Sequence, residues 1–130
     1  MELVRVYKCL CDARRLRILA LLLRQPLCVC HLQTILAEPQ VKVSQQLAVL
    51  RRAGLVEAER RGTWMVYRLP AVRPPLLRKQ LACLQDCVME DPIFRRDALA
   101  LERVVRGGNH PLANRCQGTA PASSSRKAGS

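Results

Sequence analysis

Between Leu27 and Leu69 the hydrophobic period of the chain changes once, and that change leaves few folds open. Up to Ala53 the apolar residues recur at helical spacing; beyond Gly54 they alternate. The helical part holds two short segments, about 27–37 and 41–53, separated by a tight turn containing Pro39. Pro26 suits the first turn of the first segment, and Gly54 is the expected stop of the second. The second segment places Val43, Leu47, Val49 and Leu50 on its buried side. Leu55–Glu59 and Trp64–Leu69 then read as two strands joined by Arg60-Arg61-Gly62-Thr63. Two helices across a tight turn, followed by a basic-tipped hairpin, fit a mainly α winged helix-turn-helix with a β-hairpin wing.

The flanks supply more helix. Leu3, Val4, Val6, Tyr7 and Leu10 suit a first helix over residues 2–10. Asp12 can cap a second, in which Leu16, Leu19, Ala20, Leu22 and Leu23 recur with Arg14, Arg15 and Arg17 between them. After Pro70, Pro74 and Pro75 a long helix is expected from about Leu76 to Met89, and a last one from Asp91-Pro92 to about Val105. Residues 1–106 therefore read as one domain. Residues 107–130, small and polar after Gly107-Gly108, read as a disordered tail.

Charge narrows the partner. With 22 Lys and Arg against 10 Asp and Glu, the chain carries +12, which points to a polyanion. Binders of single strands and RNA stack bases on aromatic side chains, and here there are only Tyr7, Trp64, Tyr67 and Phe94. Duplex DNA is the better match. The polar face of the 41–53 helix offers Lys42, Ser44, Gln45, Gln46, Arg51 and Arg52. Gln can pair with adenine in the major groove, Ser can reach a base or a phosphate, and Lys and Arg anchor to phosphates. Arg60 and Arg61 at the wing tip suit a minor groove or the backbone.

From Asp12 to Leu69 the chain resembles the arsenical-resistance repressor (ArsR/SmtB) family of winged-helix metalloregulators. The resemblance is carried by Asp12-Ala13-Arg14-Arg15-Leu16-Arg17-Ile18-Leu19, Leu27-Cys28-Val29-Cys30-His31-Leu32 and Val43-Ser44-Gln45-Gln46-Leu47. Leu50-Arg51-Arg52-Ala53-Gly54-Leu55-Val56, Arg61-Gly62-Thr63-Trp64 and Tyr67-Arg68-Leu69 complete it. It implies a homodimer, with the first helix and the long helix after the wing at the interface. It also implies a repressor of a resistance operon that leaves its double-stranded operator when an inducer binds. The two recognition helices would read half-sites roughly 34 Å apart.

The same resemblance makes Cys28 and Cys30 the thiolate pair for As(III) or Sb(III), with Cd(II), Pb(II) and Zn(II) behind them. Residues i and i+2 on a regular helix do not face each other, so one ion can be shared only if the start of that helix is distorted. Two departures from the arsenic-site pattern matter. Gln33 stands where a third cysteine is often found, and His31 where Asp is common. Trigonal arsenic then needs another ligand, with Cys9 and Cys11 of the first helix as substitutes, or two protein sulfurs plus a non-protein group. Cys83 and Cys87 are four apart on one helical face beside Leu77, Leu81, Leu84 and Val88. They read as packing at the dimer interface, with an inducer or redox site as the alternative. Zinc fits less well, because residues 76–89 hold no His and, as acids, Asp86 alone. His31 reads as a surface or capping residue, and Cys116 lies in the tail.

A second reading keeps the DNA-binding dimer and switches it by thiol oxidation or electrophiles, through a Cys28–Cys30 or Cys83–Cys87 disulfide. The small Cys28–Cys30 ring would be strained within a helix. An enzyme is not expected: there is no Cys-x-x-Cys, no Gly-rich cofactor loop and no carboxylate pair placed for acid–base work. No stretch has the continuous apolar length of a signal peptide or membrane span, so a cytoplasmic protein with reduced thiols is expected.

Overall fold

The computed structural model describes residues 3–106; the tail and Cys116 lie outside them. The order is α1 (Leu3–Leu10), α2 (Ala13–Leu22), β1 (Leu27–Cys28), α3 (Val29–Leu36), α4 (Gln40–Arg52), β2 (Glu57–Arg61), β3 (Trp64–Arg68), α5 (Pro75–Cys87) and α6 (Pro92–Arg106). A single 3-10 turn, Val88–Glu90, separates the last two helices. The chain is mainly helical, with a small antiparallel sheet in the order β1-β3-β2.

Local chemistry sets the boundaries. The Asp12 carboxylate accepts from the Arg15 backbone N–H at 3.1 Å and caps α2. Helix α4 ends in a Schellman arrangement: the Gly54 N–H donates to Arg51 C=O at 3.0 Å and the Leu55 N–H to Leu50 C=O at 2.9 Å. That geometry requires the positive φ of 79° at Gly54. Helix α3 stops on a residue that tolerates this region poorly, Ala37 at φ 55°. Its N–H still finds the Gln33 carbonyl, and the turn is fastened by Arg14 Nε to Glu38 at 3.3 Å.

The core lies where α2, α3, α4 and α5 converge. Ile18, Leu19, Leu32, Leu47, Leu50, Leu55 and Leu77 have no exposed surface. Burying one such side chain stabilises the fold by about 1.5–3 kcal/mol. Val43, Leu47 and Leu50 are buried as their spacing implies, while Val49 packs at the margin. On α2, Ile18 and Leu21 are buried as well, so this helix is enclosed more widely than its apolar spacing suggests.

Three expectations need correction. Pro26 does not open a helix: Leu27 and Cys28 are extended and pair with Tyr67 and Val66 of β3. This short strand covers an edge of β3 that would otherwise present unpaired N–H and C=O groups. The wing tip is also tighter than expected. Arg60 and Arg61 are the last residues of β2, and Gly62-Thr63 alone make the turn between the paired Arg61 and Trp64. Positive φ is confined to Gly62 in that loop, at 62°, the pattern of a type II′ hairpin. Finally, His31 is neither a surface nor a capping residue, being only 1 % exposed. It lies on the inward face of α3 beside Leu32 and Ile35.

Candidate functional site: a polar helix face and a cysteine pair

Helix α4 presents an exposed polar side because its apolar residues are spent on the core. Lys42, Gln45, Arg51 and Arg52 are exposed, and Ser44 and Gln46 are half-buried. Gln46 differs from its neighbours. Arg15 donates to its side-chain oxygen at 2.7 Å and, through Nε, to the Cys9 carbonyl at 2.7 Å. One guanidinium thus joins the end of α1, α2 and the middle of α4. A groove lined by Ala48, Arg51, Arg52 and Tyr67 connects the polar face to the wing.

The wing carries its own acids. Arg68 pairs with Glu59 and, at 3.5 Å, with Glu57; Arg61 pairs with Glu59 at 3.5 Å. The hydrogen bond from Arg68, reinforced by the charge of Arg61, holds the Glu59 carboxyl below the usual range. The carboxylate, and with it this pairing, persists into mild acid. Arg60 is held differently: its guanidinium donates to the Gly62 carbonyl at 3.5 Å, so no carboxylate offsets its charge there. Both arginines are exposed.

Cys28 and Cys30 meet. They form a disulfide across a Cα–Cα distance of 5.4 Å. Helix geometry does not prevent this, because Cys28 is not helical. It is the extended N-cap residue of α3, at φ −91° and ψ 169°, and the last residue of β1. The condition that the start of this helix depart from a regular turn is met at one residue, the strand end that replaces the expected first helical turn. Cys28 is buried and Cys30 half-buried. The pair thus lies at the joint between the wing strand β3, to which Cys28 is hydrogen-bonded in register with Val66, and α3, which packs on α4.

The other thiols are placed differently. Cys9 is buried and Cys11 exposed near the end of α1, and Cys83 and Cys87 are both exposed on α5. Among the described residues no three His, Cys, Asp or Glu side chains gather into a metal-binding group.

A buried ion pair was not foreseen. Arg17 of α2 makes a bidentate bridge to Asp97 of α6, Nε to Oδ2 at 2.7 Å and Nη2 to Oδ1 at 2.8 Å. The hydrogen bond to Asp97 raises the Arg17 pKa against the cost of burial. Sequence spacing places Arg17 among the apolar residues of α2 but cannot show which acid meets it eighty positions away.

No described helix is long and apolar enough to cross a membrane. Residues 12–58 match the family model described as bacterial regulatory protein, arsR family. The arsenic resistance transcriptional regulator ArsR1 of Pseudomonas putida is 37 % identical over 109 residues, covering 83 % of this chain and 84 % of that protein. The arsenical resistance operon repressor of Escherichia coli is 38 % identical over 90 residues, 65 % of this chain and 77 % of that one. Among solved structures, reduced HlyU from Vibrio cholerae matches with a TM-score of 0.58 at 32 % identity, covering 64 % of this chain and 84 % of that one. The transcriptional repressor BigR from Xylella fastidiosa matches with a TM-score of 0.59 at 28 % identity, covering 68 % and 86 %. Helix, turn, helix and wing, in that order and with this likeness over most of its length, place the chain in the ArsR family of DNA-binding winged-helix transcription regulators, a family without enzymatic activity.

Proposed function

We propose that the protein is a homodimeric repressor of an arsenic-resistance operon, and that it leaves its operator when Cys28 and Cys30 take up trivalent arsenic. The observation that carries this reading is the meeting of the two sulfurs at the joint between β3 and α3. A change in their spacing acts on both the wing and the helix that supports α4. The likeness to arsenic resistance regulators over most of the chain supports the choice of ligand. The donor set fits it. Two thiolates and a retained hydroxide satisfy three-coordinate As(III) or Sb(III), whereas Cd(II), Pb(II) and Zn(II) call for more protein ligands than this pair supplies. A third sulfur from Cys9 or Cys11 is not required.

On this reading Lys42, Arg51, Arg52, Arg60 and Arg61 contact phosphates, and Ser44 and Gln45 reach base edges in the major groove. Gln46 serves mainly to set the position of α4 through Arg15. The dimer uses α1, whose apolar Leu3, Val4 and Tyr7 are exposed in the single chain at 56 %, 58 % and 43 %. Such surface calls for a partner.

The disulfide itself favours a second reading, in which oxidation of Cys28 and Cys30 is the signal. A gel shift on the DNA upstream of the operon separates the two. Arsenite, antimonite, cadmium, zinc and peroxide are each added to the reduced protein. Release by arsenite and antimonite supports the arsenic reading; release by peroxide alone supports the redox reading. Absence of any DNA complex at low salt would contradict both, since phosphate contacts are then strongest.

A further inference from the structure

Helix α5 is charged against its own dipole. Its cations Arg78 and Lys79 stand near its start, and the acids Asp86 and Glu90 stand at its end and just beyond. A helix favours the reverse, acids at the N-terminus and cations at the C-terminus. All four side chains are exposed, and none makes an ion pair among the described residues. Lys79, Cys83, Asp86 and Glu90 follow at helical spacing, so they share one stripe. Beside it the Gln80 amide donates to the Tyr7 hydroxyl at 3.3 Å, which joins the stripe to the exposed apolar surface of α1.

A second copy of α5 laid antiparallel removes these costs. Lys79 then reaches Asp86 of the partner subunit, and each helix dipole runs beside its opposite. A parallel arrangement would set like charges against like. Contact between identical subunits is usually two-fold, and a residue near the axis meets its own copy. The midpoint between Lys79 and Asp86 falls between Ala82 and Cys83, two small exposed side chains. Packed helices lie about 8–10 Å apart with Cα atoms on cylinders of about 2.3 Å radius, leaving facing Cα atoms roughly 3.5–5.5 Å apart. A disulfide takes about 4.4–6.8 Å. Within one α5, by contrast, Cys83 and Cys87 have Cβ atoms about 5–6 Å apart, where a disulfide needs about 3.5–4.5 Å.

We propose that α5 pairs antiparallel with α5 of a second copy, and that Cys83 and Cys83 of the partner subunit form a redox latch across the two-fold axis. The proposal rests on the homodimer above and adds its register and a covalent lock. The oxidant is a small disulfide, R–S–S–R. The Cys83 thiolate attacks one of its sulfurs, that S–S bond breaks, and R–S⁻ leaves and takes up the proton as R–SH. Cys83 of the partner subunit then attacks the Cys83 sulfur of the mixed disulfide and releases a second R–SH. Two protein thiols give up two electrons and two protons, and one small disulfide becomes two thiols. Cys83 is exposed in the single chain, so the first exchange is open to it and the second follows as the dimer closes. Cys87 is the poorer nucleophile: Cys83, burial, Glu90 and Asp86 push its thiol up and hold it protonated.

The test uses the full chain carrying Cys28→Ser and Cys30→Ser, with oxidised glutathione as the oxidant. Sedimentation of the reduced protein first establishes the dimer. Non-reducing electrophoresis and peptide mapping should then show a covalent dimer joined at residue 83. Its rate of formation should not fall on dilution while the dimer persists, because the second exchange is intramolecular. Cys83→Ser should abolish this product and Cys87→Ser should leave it. Lys79→Glu and Asp86→Lys should each weaken the reduced dimer by about 10-fold, since two symmetry-related pairs are lost, and the two together should restore it. These side chains are exposed, and circular dichroism checks that helix content is kept. A dimer that forms no crosslink, or whose crosslink maps to Cys9, Cys11, Cys87 or Cys116, would overturn the proposal and leave the homodimer standing. A reduced chain that sediments as a monomer at micromolar concentration would overturn both.

Discussion

At the scale of single residues, Arg15 shows how an ordinary-looking surface position can control a functional face. Its guanidinium reaches a backbone carbonyl in α1 and the Gln46 side chain in α4, both at 2.7 Å. Hydrogen bonds involving a charged donor contribute about 1.5–3 kcal/mol each. Arg15→Ala should lower stability by about 2–3 kcal/mol in urea unfolding, with additional loss of DNA affinity at temperatures where the fold is intact. Gln46→Leu should reproduce the stability loss in part. If Gln46→Leu instead relaxes base preference at one operator position without affecting stability, Gln46 reads DNA directly. The sequence made Gln46 visible as polar but not as engaged, because its partner is thirty-one positions away. Cys28 was misplaced for a similar reason: Pro26-Leu27-Cys28 is compatible with a helix start, and only β3, far along the chain, selects the extended form. His31 likewise looked peripheral, although the inward face of α3 encloses it.

At the scale of elements, helices and hairpin were legible in the period of the sequence, and their boundaries were set by identifiable caps. Asp12, Gly54 and Pro75 all act where their chemistry leads one to expect. The relation of α6 to the rest was not legible. Besides the core residues Leu101 and Val104, it is fastened by the Arg17–Asp97 bridge, whose side chains are 12 % and 3 % exposed. Asp97→Asn leaves a buried guanidinium without its counter-charge and should cost about 3 kcal/mol in urea unfolding. The double variant Arg17→Met/Asp97→Leu should recover most of that loss, because well-packed apolar residues can replace a buried pair. A double variant as unstable as the single one would show that the bridge contributes more than its burial costs.

The wing makes a second prediction at this scale. Arg61 is paired with Glu59, whereas Arg60 donates to a carbonyl. Arg60→Ala should therefore weaken DNA binding about equally on all sequences and reduce the salt dependence, log Kd against log salt, by about one. Arg61→Ala should do less. Measuring affinity for operator and unrelated duplexes over a range of salt concentrations checks both. A selective loss on the operator alone would mean that Arg60 reads sequence or groove shape.

For the whole molecule, the +12 charge and the order of helix, turn, helix and wing already limited the function to duplex DNA binding. Family likeness then identified the class of regulator. The structure adds a link between the thiols and the helix proposed to face DNA: Cys28 belongs to the sheet, Cys30 to α3, and α3 packs on α4. On the proposed reading, any reagent that resets the separation of these two residues acts on a joint between the two elements assigned to DNA. The strength of that coupling is measured most directly by fluorescence anisotropy on operator DNA, with the reduced protein titrated in the presence and absence of arsenite. Arsenite should lower the affinity of the native chain on the order of 10- to 100-fold. Cys28→Ser/Cys30→Ser should bind DNA as well as the native chain and not respond to arsenite. Undiminished release by arsenite in that double variant would contradict a Cys28/Cys30 switch.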